Sequence, residues 1–113
     1  MTKDDCIFCK IIAGQLGTKR VWENDSYLVI EDLHPKAPVH VLLIPKNHVE
    51  NLNMMEATSK ESGKLVSTIQ EVVRKLQIND AYQVHVNTGK KAGQQVFHFH
   101  VHLMGGWSKP VEY

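Results

Sequence analysis

The stretch Val96-Phe97-His98-Phe99-His100-Val101-His102-Leu103-Met104 places three histidines at alternate positions among large apolar residues. An imidazole can ligate a metal, exchange a proton near neutral pH, or attack phosphorus through a neutral ring nitrogen while a hydrogen bond holds the other nitrogen. Strict alternation is the pattern of a half-buried strand, on which side chains two apart point the same way, roughly 6.5–7 Å apart. The spacing predicts one strand over 96–104. Phe97, Phe99, Val101 and Leu103 would face a core, and His98, His100 and His102 would share the opposite face. Lys, Thr, Glu or Ser would serve a merely solvated face equally well, and interleaved internal histidines are not an affinity tag. Two chemistries remain: a metal site, or a histidine nucleophile whose flanking histidines give acid–base help and stabilise charge on phosphate oxygens.

Other residues bear on that choice. Cys6 and Cys9 form a C-x-x-C pair. Two thiolates supply half of a tetrahedral zinc site, and His48 with one of the strand histidines could supply the rest. A redox pair would call for a thioredoxin-like βαβ context, which the chain does not show, and two small buried hydrophobes are the third reading. His40 is the one polar residue in an apolar run, Val39 to Pro45, and must find a partner if buried. Next to three other histidines it reads as part of a shared site. His34 and His85 read as surface or packing residues. The loop Asn87-Thr-Gly-Lys-Lys-Ala-Gly-Gln-Gln95 could bring backbone N–H groups to a phosphate, although it lacks the Walker A spacing.

The elements that must position these residues follow from periodicity and punctuation. Residues 5–14 read as a short helix, capped by Asp4 or Asp5 and stopped by Gly14. Strands are expected over 19–23 and 27–31, with Asn24-Asp25 as the turn. Two prolines make 32–38 irregular, and 39–45 is a strand buried on both faces. Thr58 or Ser59 opens a long helix whose apolar face is Leu65, Ile69, Val72, Val73 and Leu76, and the helical region closes at Asn79-Asp80. Strands over 82–87 and 96–104 complete an α+β fold with a mainly antiparallel sheet.

Size and charge narrow the function. The chain has 113 residues, which is one domain, with a 42% hydrophobic fraction and a formal net charge of +1. Lys and Arg are dispersed, which excludes a nucleic-acid-binding stripe. No apolar run reaches the ~18 residues of a membrane span, and Met1-Thr-Lys-Asp-Asp5 lacks the apolar core of a signal peptide, so the expected location is the cytoplasm.

His98-Phe-His-Val-His-Leu-Met104 resembles the histidine-triad (HIT) motif, His-φ-His-φ-His-φ-φ with φ apolar. The likeness extends to Asp32-Leu-His-Pro-Lys-Ala-Pro-Val-His40, to Ile44-Pro-Lys-Asn-His48, and to Asn87-Thr-Gly89 with Gly93-Gln94. Several motifs in the family's order resemble the Hint branch, the nucleoside phosphoramidate hydrolases. The resemblance implies a HIT domain over 4–106 with a short tail, 107–113. It implies a HIT-like fold, a five-stranded mainly antiparallel sheet with a short N-terminal helix and one long helix. It also implies a homodimer with a continuous ten-stranded sheet.

For the chemistry, the resemblance implies that His100 attacks the α-phosphate of a purine nucleoside 5′-phosphoramidate, such as AMP linked to an amine. A nucleotidyl-histidine forms, and water releases the nucleoside monophosphate. His102 and His40 would contact the phosphate and leaving group, Asn87 would bind near the phosphate, and Asp32 would hold the ribose hydroxyls. Leu16, Ile30 and Leu33 match the base slot, with Phe8 nearby, and Gly93, Gln94 and Gln95 match the loop beside the nucleotide. Gln95 stands where better-known Hint enzymes carry Ser, a residue that touches the leaving group. In many bacterial members the residues matching Cys6, Cys9, His48 and His98 bind a structural zinc, and catalysis needs no metal. The competing functions are a dinucleoside polyphosphate hydrolase of the Fhit branch and a non-catalytic nucleotide sensor or scaffold.

Overall fold

A computed structural model describes residues 5–112. The elements run α1 (Ile7–Ile12), β1 (Arg20–Glu23), β2 (Tyr27–Glu31), β3 (Val39–Pro45), α2 (Lys60–Lys75), β4 (Tyr82–His85) and β5 (Val101–Gly105), with 3-10 turns at Leu52–Met54 and Lys90–Ala92. The strands form one five-stranded sheet in the order β1-β2-β3-β5-β4, every pairing antiparallel. The α+β architecture expected from the sequence is the one observed.

Period-2 alternation sorts each strand between two packed faces. Tyr27 and Val29 of β2, Val41 and Leu43 of β3, and Val101 and Leu103 of β5 point to the same side as α2 and meet Val72 and Val73 in one buried cluster. Burying each of those valines contributes roughly 1.5–3 kcal/mol. Leu28, Ile30, Leu42 and Ile44 point to the other side and join Cys6, Phe8 and Ile11 from α1 and its cap. His40 and His102 share parity with this second set, so they lie on the α1 side. Leu42 is directly opposite His102, which makes His40 its diagonal neighbour.

Both helices end in a Schellman arrangement, in which a left-handed residue turns the chain back and orphan carbonyls are satisfied. In α1 the left-handed residue is Gly14 (φ 78°), with Gly14 N–H donating to Ile11 O and Gln15 N–H to Lys10 O, both at 3.0 Å. Arg20 Nη2 then donates to Ile11 O and Ile12 O at 3.1 Å, tying α1 to β1. In α2 the position is filled by Gln77 (φ 60°), and the following Ile78 is buried in the α2-side core. Ser59 caps the start of α2, its hydroxyl accepting from Ser62 N–H. Gly105 has no room for a side chain, since a Cβ there would stand 2.9 Å from Ile78 Cβ.

Five expectations are corrected. The histidine strand does not run over 96–104: the ladder begins at Val101, opposite Leu43, and residues 96–100 lie outside it. Beyond Leu43 the partner strand ends at Pro45, whose carbonyl accepts from His98 Nε2 at 2.8 Å, and Phe99 N–H donates to Val49 O at 2.6 Å. Phe97 is only half-buried and stands outside both core clusters. The N-cap of α1 is Cys6, whose sulfur accepts from Cys9 N–H, rather than Asp5; Asp4 lies outside the described residues. Helix α2 ends at Lys75, before Asn79-Asp80, and β4 stops at His85.

Candidate functional site

Cys6 and Cys9 lie at the start of α1, His48 in the loop after β3, and His98 in the bend before β5. Their sulfur and ring-nitrogen atoms all fall within 4.8 Å of one another. His98 Nδ1 is 3.3 Å from Cys6 Sγ, 3.5 Å from Cys9 Sγ and 3.2 Å from His48 Nδ1, and Cys9 Sγ is 3.3 Å from His48 Nδ1. An ion held tetrahedrally at ~2.3 Å from sulfur and ~2.0–2.1 Å from nitrogen separates its ligands by about 3.5 Å (S to N) and about 3.3 Å (N to N). The four donors therefore fit a single metal ion. His98 is prepared for that role by its other nitrogen. Nε2 lies 2.8 Å from Pro45 O, an acceptor, so Nε2 carries the proton and Nδ1 presents a lone pair to the cluster. The ring is fully buried.

His100 is held differently. Its Nδ1 is 2.8 Å from His98 O, so Nδ1 is the donor and Nε2 carries the lone pair. The residue is 8% exposed and packs edge-on against Phe8, ring centroids 5.1 Å apart. Burial is the main force holding its pKa below the ordinary 6.5, so the ring is neutral near pH 7, with its lone pair available.

His40 and His102 form a directed chain. Lys36 N–H donates to His40 Nδ1 at 3.0 Å. His40 Nε2 therefore carries the proton and donates to His102 Nδ1 at 2.9 Å, with Asp32 Oδ2 at 3.4 Å as a second acceptor. His102 Nδ1 is an acceptor, which leaves the proton of its neutral ring on Nε2. Desolvation, with His100 and His40 adding repulsion, pushes the His102 pKa down to about 4; His40 is lowered as well, chiefly by burial. Asp32, His40 and His102 also bring donor atoms within 4.8 Å of one another. Yet a nitrogen that carries a proton is no ligand, and the Lys36 N–H keeps the proton on His40 Nε2. This group suits proton transfer and anion contact better than metal binding.

The remaining residues expected near a nucleotide are dispersed around this centre. Ile30 is buried on the α1 side, whereas Leu16 is 41% and Leu33 86% exposed. Asp32 Oδ1 accepts from His34 N–H at 2.8 Å. Asn87 Nδ2 donates to Ala92 O at 2.8 Å, and Gly93 takes the left-handed conformation (φ 92°) that closes this turn. Gln94 is buried and faces inward: its amide accepts from Gly89 N–H and donates to Glu50 O and Val96 O. That side chain shapes the loop from within, so an outward contact with a ligand is not its geometry. Gln95 is exposed.

Several working groups were not visible in the sequence. Pro45 O and Lys36 N–H are backbone atoms, and they decide two tautomers. His85 sits directly across the β4–β5 ladder from His102, on the same face, and so has the company that its sequence neighbours did not suggest. Its period-2 position in 82–87 was the available signal. Glu61 is buried at the start of α2 and accepts from Asn47 Nδ2 at 2.6 Å, fixing the residue before His48.

Comparison with known proteins agrees with this geometry. The family profile described as HIT domain matches residues 13–109. The chain is 38% identical over 103 residues to protein HitA of Neisseria gonorrhoeae, covering 90% of this chain and 96% of that one. It is 42% identical over 104 residues to an HIT-like protein of Chlamydia muridarum, covering 88% and 80%. Among solved structures, a HIT family hydrolase from Clostridium thermocellum superposes with a TM-score of 0.88 at 36% identity, covering 98% of each chain. A histidine triad protein from Clostridium difficile gives 0.84 at 32% identity, covering 100% of each.

Proposed function

The chain belongs to the HIT domain family, and from that premise we propose that it hydrolyses the P–N bond of purine nucleoside 5′-phosphoramidates. The supporting observation is the His100 ring, fixed by His98 O at 2.8 Å with Nε2 left as a lone pair, beside a neutral His102. Attack by Nε2 on the α-phosphorus forms an N–P bond and breaks the bond to the amine, which leaves after taking up a proton. The Nε2–H of His102, backed by His40 and Asp32, is the donor that binds a phosphate oxygen, and the departing amine takes its proton from water. Water then cleaves the nucleotidyl-histidine, releasing nucleoside monophosphate and restoring Nε2.

Asp32 takes the ribose hydroxyls through its remaining lone pairs. Ile30 forms the floor of the base slot, with Leu16, Leu33 and Phe8 as its sides. Asn87 approaches the phosphate, while Gly93, Gln94 and Gln95 set the loop beside it. Cys6, Cys9, His48 and His98 hold zinc, the ion suited to two thiolates and two imidazoles in a closed tetrahedron. All four positions are filled by protein, so the ion would staple α1 to the β3 loop and the β5 approach. Paired reduced cysteines suit the cytoplasm. No described helix is long and apolar enough to cross a membrane. The β4 edge, with Tyr82 and Val84 exposed and Val86 just beyond, is the surface for a homodimer.

Turnover tests the assignment. Adenosine 5′-phosphoramidate should be cleaved with a higher kcat/KM than diadenosine polyphosphates. The reverse preference would assign the polyphosphate reaction. Tight AMP binding without turnover of either substrate would make the chain a nucleotide sensor.

A further inference from the structure

Resting on the reading above, we propose that His98 is a positioning residue for catalysis: the metal fixes its side chain, and its backbone carbonyl thereby aims the nucleophile. Segment 96–100 lies outside the sheet, whose ladder begins at Val101. Here the backbone is tied at Phe99, whose N–H donates to Val49 O at 2.6 Å, and the His98 side chain adds ties of its own. Its Nε2–H donates to Pro45 O at 2.8 Å, and its Nδ1 lies 3.2 Å from His48 Nδ1 and 3.3 Å from Cys6 Sγ. With an ion bound, both ring nitrogens are tied to different parts of the fold. The carbonyl of the same residue accepts the Nδ1–H of His100 at 2.8 Å.

A second link runs through α1. Phe8 sits between the two cysteines and meets both rings edge-on, with centroids 5.9 Å from His98 and 5.1 Å from His100. The short helix that supplies two metal ligands thus also supplies the ring that backs the nucleophile. Losing the ion leaves one side of the His98 ring and the start of α1 untethered. The carbonyl and Phe8 then shift, and the Nε2 lone pair of His100 loses its aim. Misplacement by ~1 Å costs on the order of 10²-fold in rate. Nucleotide binding falls less than turnover, because Ile30 and Asp32 stand on β2 and just after it, within or beside the ladder, and of the residues given to the base slot only Phe8 lies in α1.

Zinc is removed from the whole protein by chelation and then restored, with Cys9→Ser as the variant that cannot be reloaded. The readouts are kcat and KM on adenosine 5′-phosphoramidate, and the imidazole 15N–1H spectrum. Metal loss should lower kcat about 10- to 100-fold with KM changed less than about 2-fold. The hydrogen-bonded Nδ1–H signal of His100 should disappear while β2 and β3 amide signals persist, and zinc alone should restore both. Equal kcat and an unchanged His100 signal without metal would overturn the proposal. Global unfolding of the depleted protein would also overturn it, since the ion would then hold the fold rather than the nucleophile. If the loaded protein turns over no nucleotide, the functional reading fails, and the His100 signal still decides the positioning.

Discussion

Two histidine clusters lie on the same side of the sheet, and they are wired in opposite senses. In the cluster of Cys6, Cys9, His48 and His98, ring nitrogens meet sulfur and nitrogen at 3.2–3.5 Å, with the His98 proton drawn away to Pro45 O. In the cluster of His40, His102 and Asp32, a proton points along the line at each step, starting from Lys36 N–H. One cluster gathers lone pairs and fits a cation; the other is a donor chain and fits an anion. Residue type is shared. What differs is the backbone group that sets the leading ring of each: the Pro45 carbonyl on His98 and the Lys36 N–H on His40. His100 stands between the clusters in the chain, with its proton on His98 O and its lone pair outward.

This contrast can be broken at several points. The largest effect is expected at the proposed nucleophile: His100→Ala should lower kcat on adenosine 5′-phosphoramidate by at least about 10³-fold, with circular dichroism unchanged. A variant retaining a tenth of the activity would remove His100 from the nucleophile's role.

His48→Ala attacks the cluster that fits a cation. Metal analysis of protein purified without added metal should fall from about one ion per chain to near zero, and stability should drop by about 3–5 kcal/mol in urea unfolding. His102→Ala should leave the metal content intact, which separates the two clusters. Loss of metal in His102→Ala would show that they are one.

Acid pH sharpens the contrast further. His40, His100 and His102 all have pKa values held below the ordinary 6.5, His102 at about 4. The folded protein keeps them neutral where the unfolded chain already binds protons. Stability is therefore greatest above pH 6.5 and falls as pH drops through that value, with the His102 loss complete only near pH 4. Turnover should persist below pH 6.5 for the same reason. A kcat/KM profile that falls with a midpoint at 6.5 would mean that the three rings titrate as solvated histidines.

The smallest effect serves as a control. Ser59→Ala removes the cap of α2, a residue that contributes no atom to either cluster, and should cost about 1 kcal/mol without changing metal content or turnover.

Much of the scaffold was legible from the sequence. Continuous apolar character marked β3 as buried on both faces, and helical spacing marked Val72 and Val73 of α2 as core. Alternation in 96–104 placed the histidines opposite Phe99, Val101 and Leu103 correctly: those three are in the α2-side core, and His98 and His100 meet Cys6 and Phe8 on the α1 side. It could not show that pairing stops at Val101, since that depends on where the neighbouring strand reaches Pro45. The tautomers were equally hidden, because Pro45 O, His98 O and Lys36 N–H are main-chain groups present in every sequence. Gln94 and Glu61 are polar by type and are buried by loop and helix-start geometry, each with its amide or carboxylate engaged.

The most direct test is to quench turnover of an adenosine phosphoramidate in acid-free denaturant and map the nucleotidyl adduct by mass spectrometry. The account predicts one adenylate, carried on His100, in metal-loaded protein. An adduct on His102 or His40, or turnover with no adduct on any histidine, would contradict it.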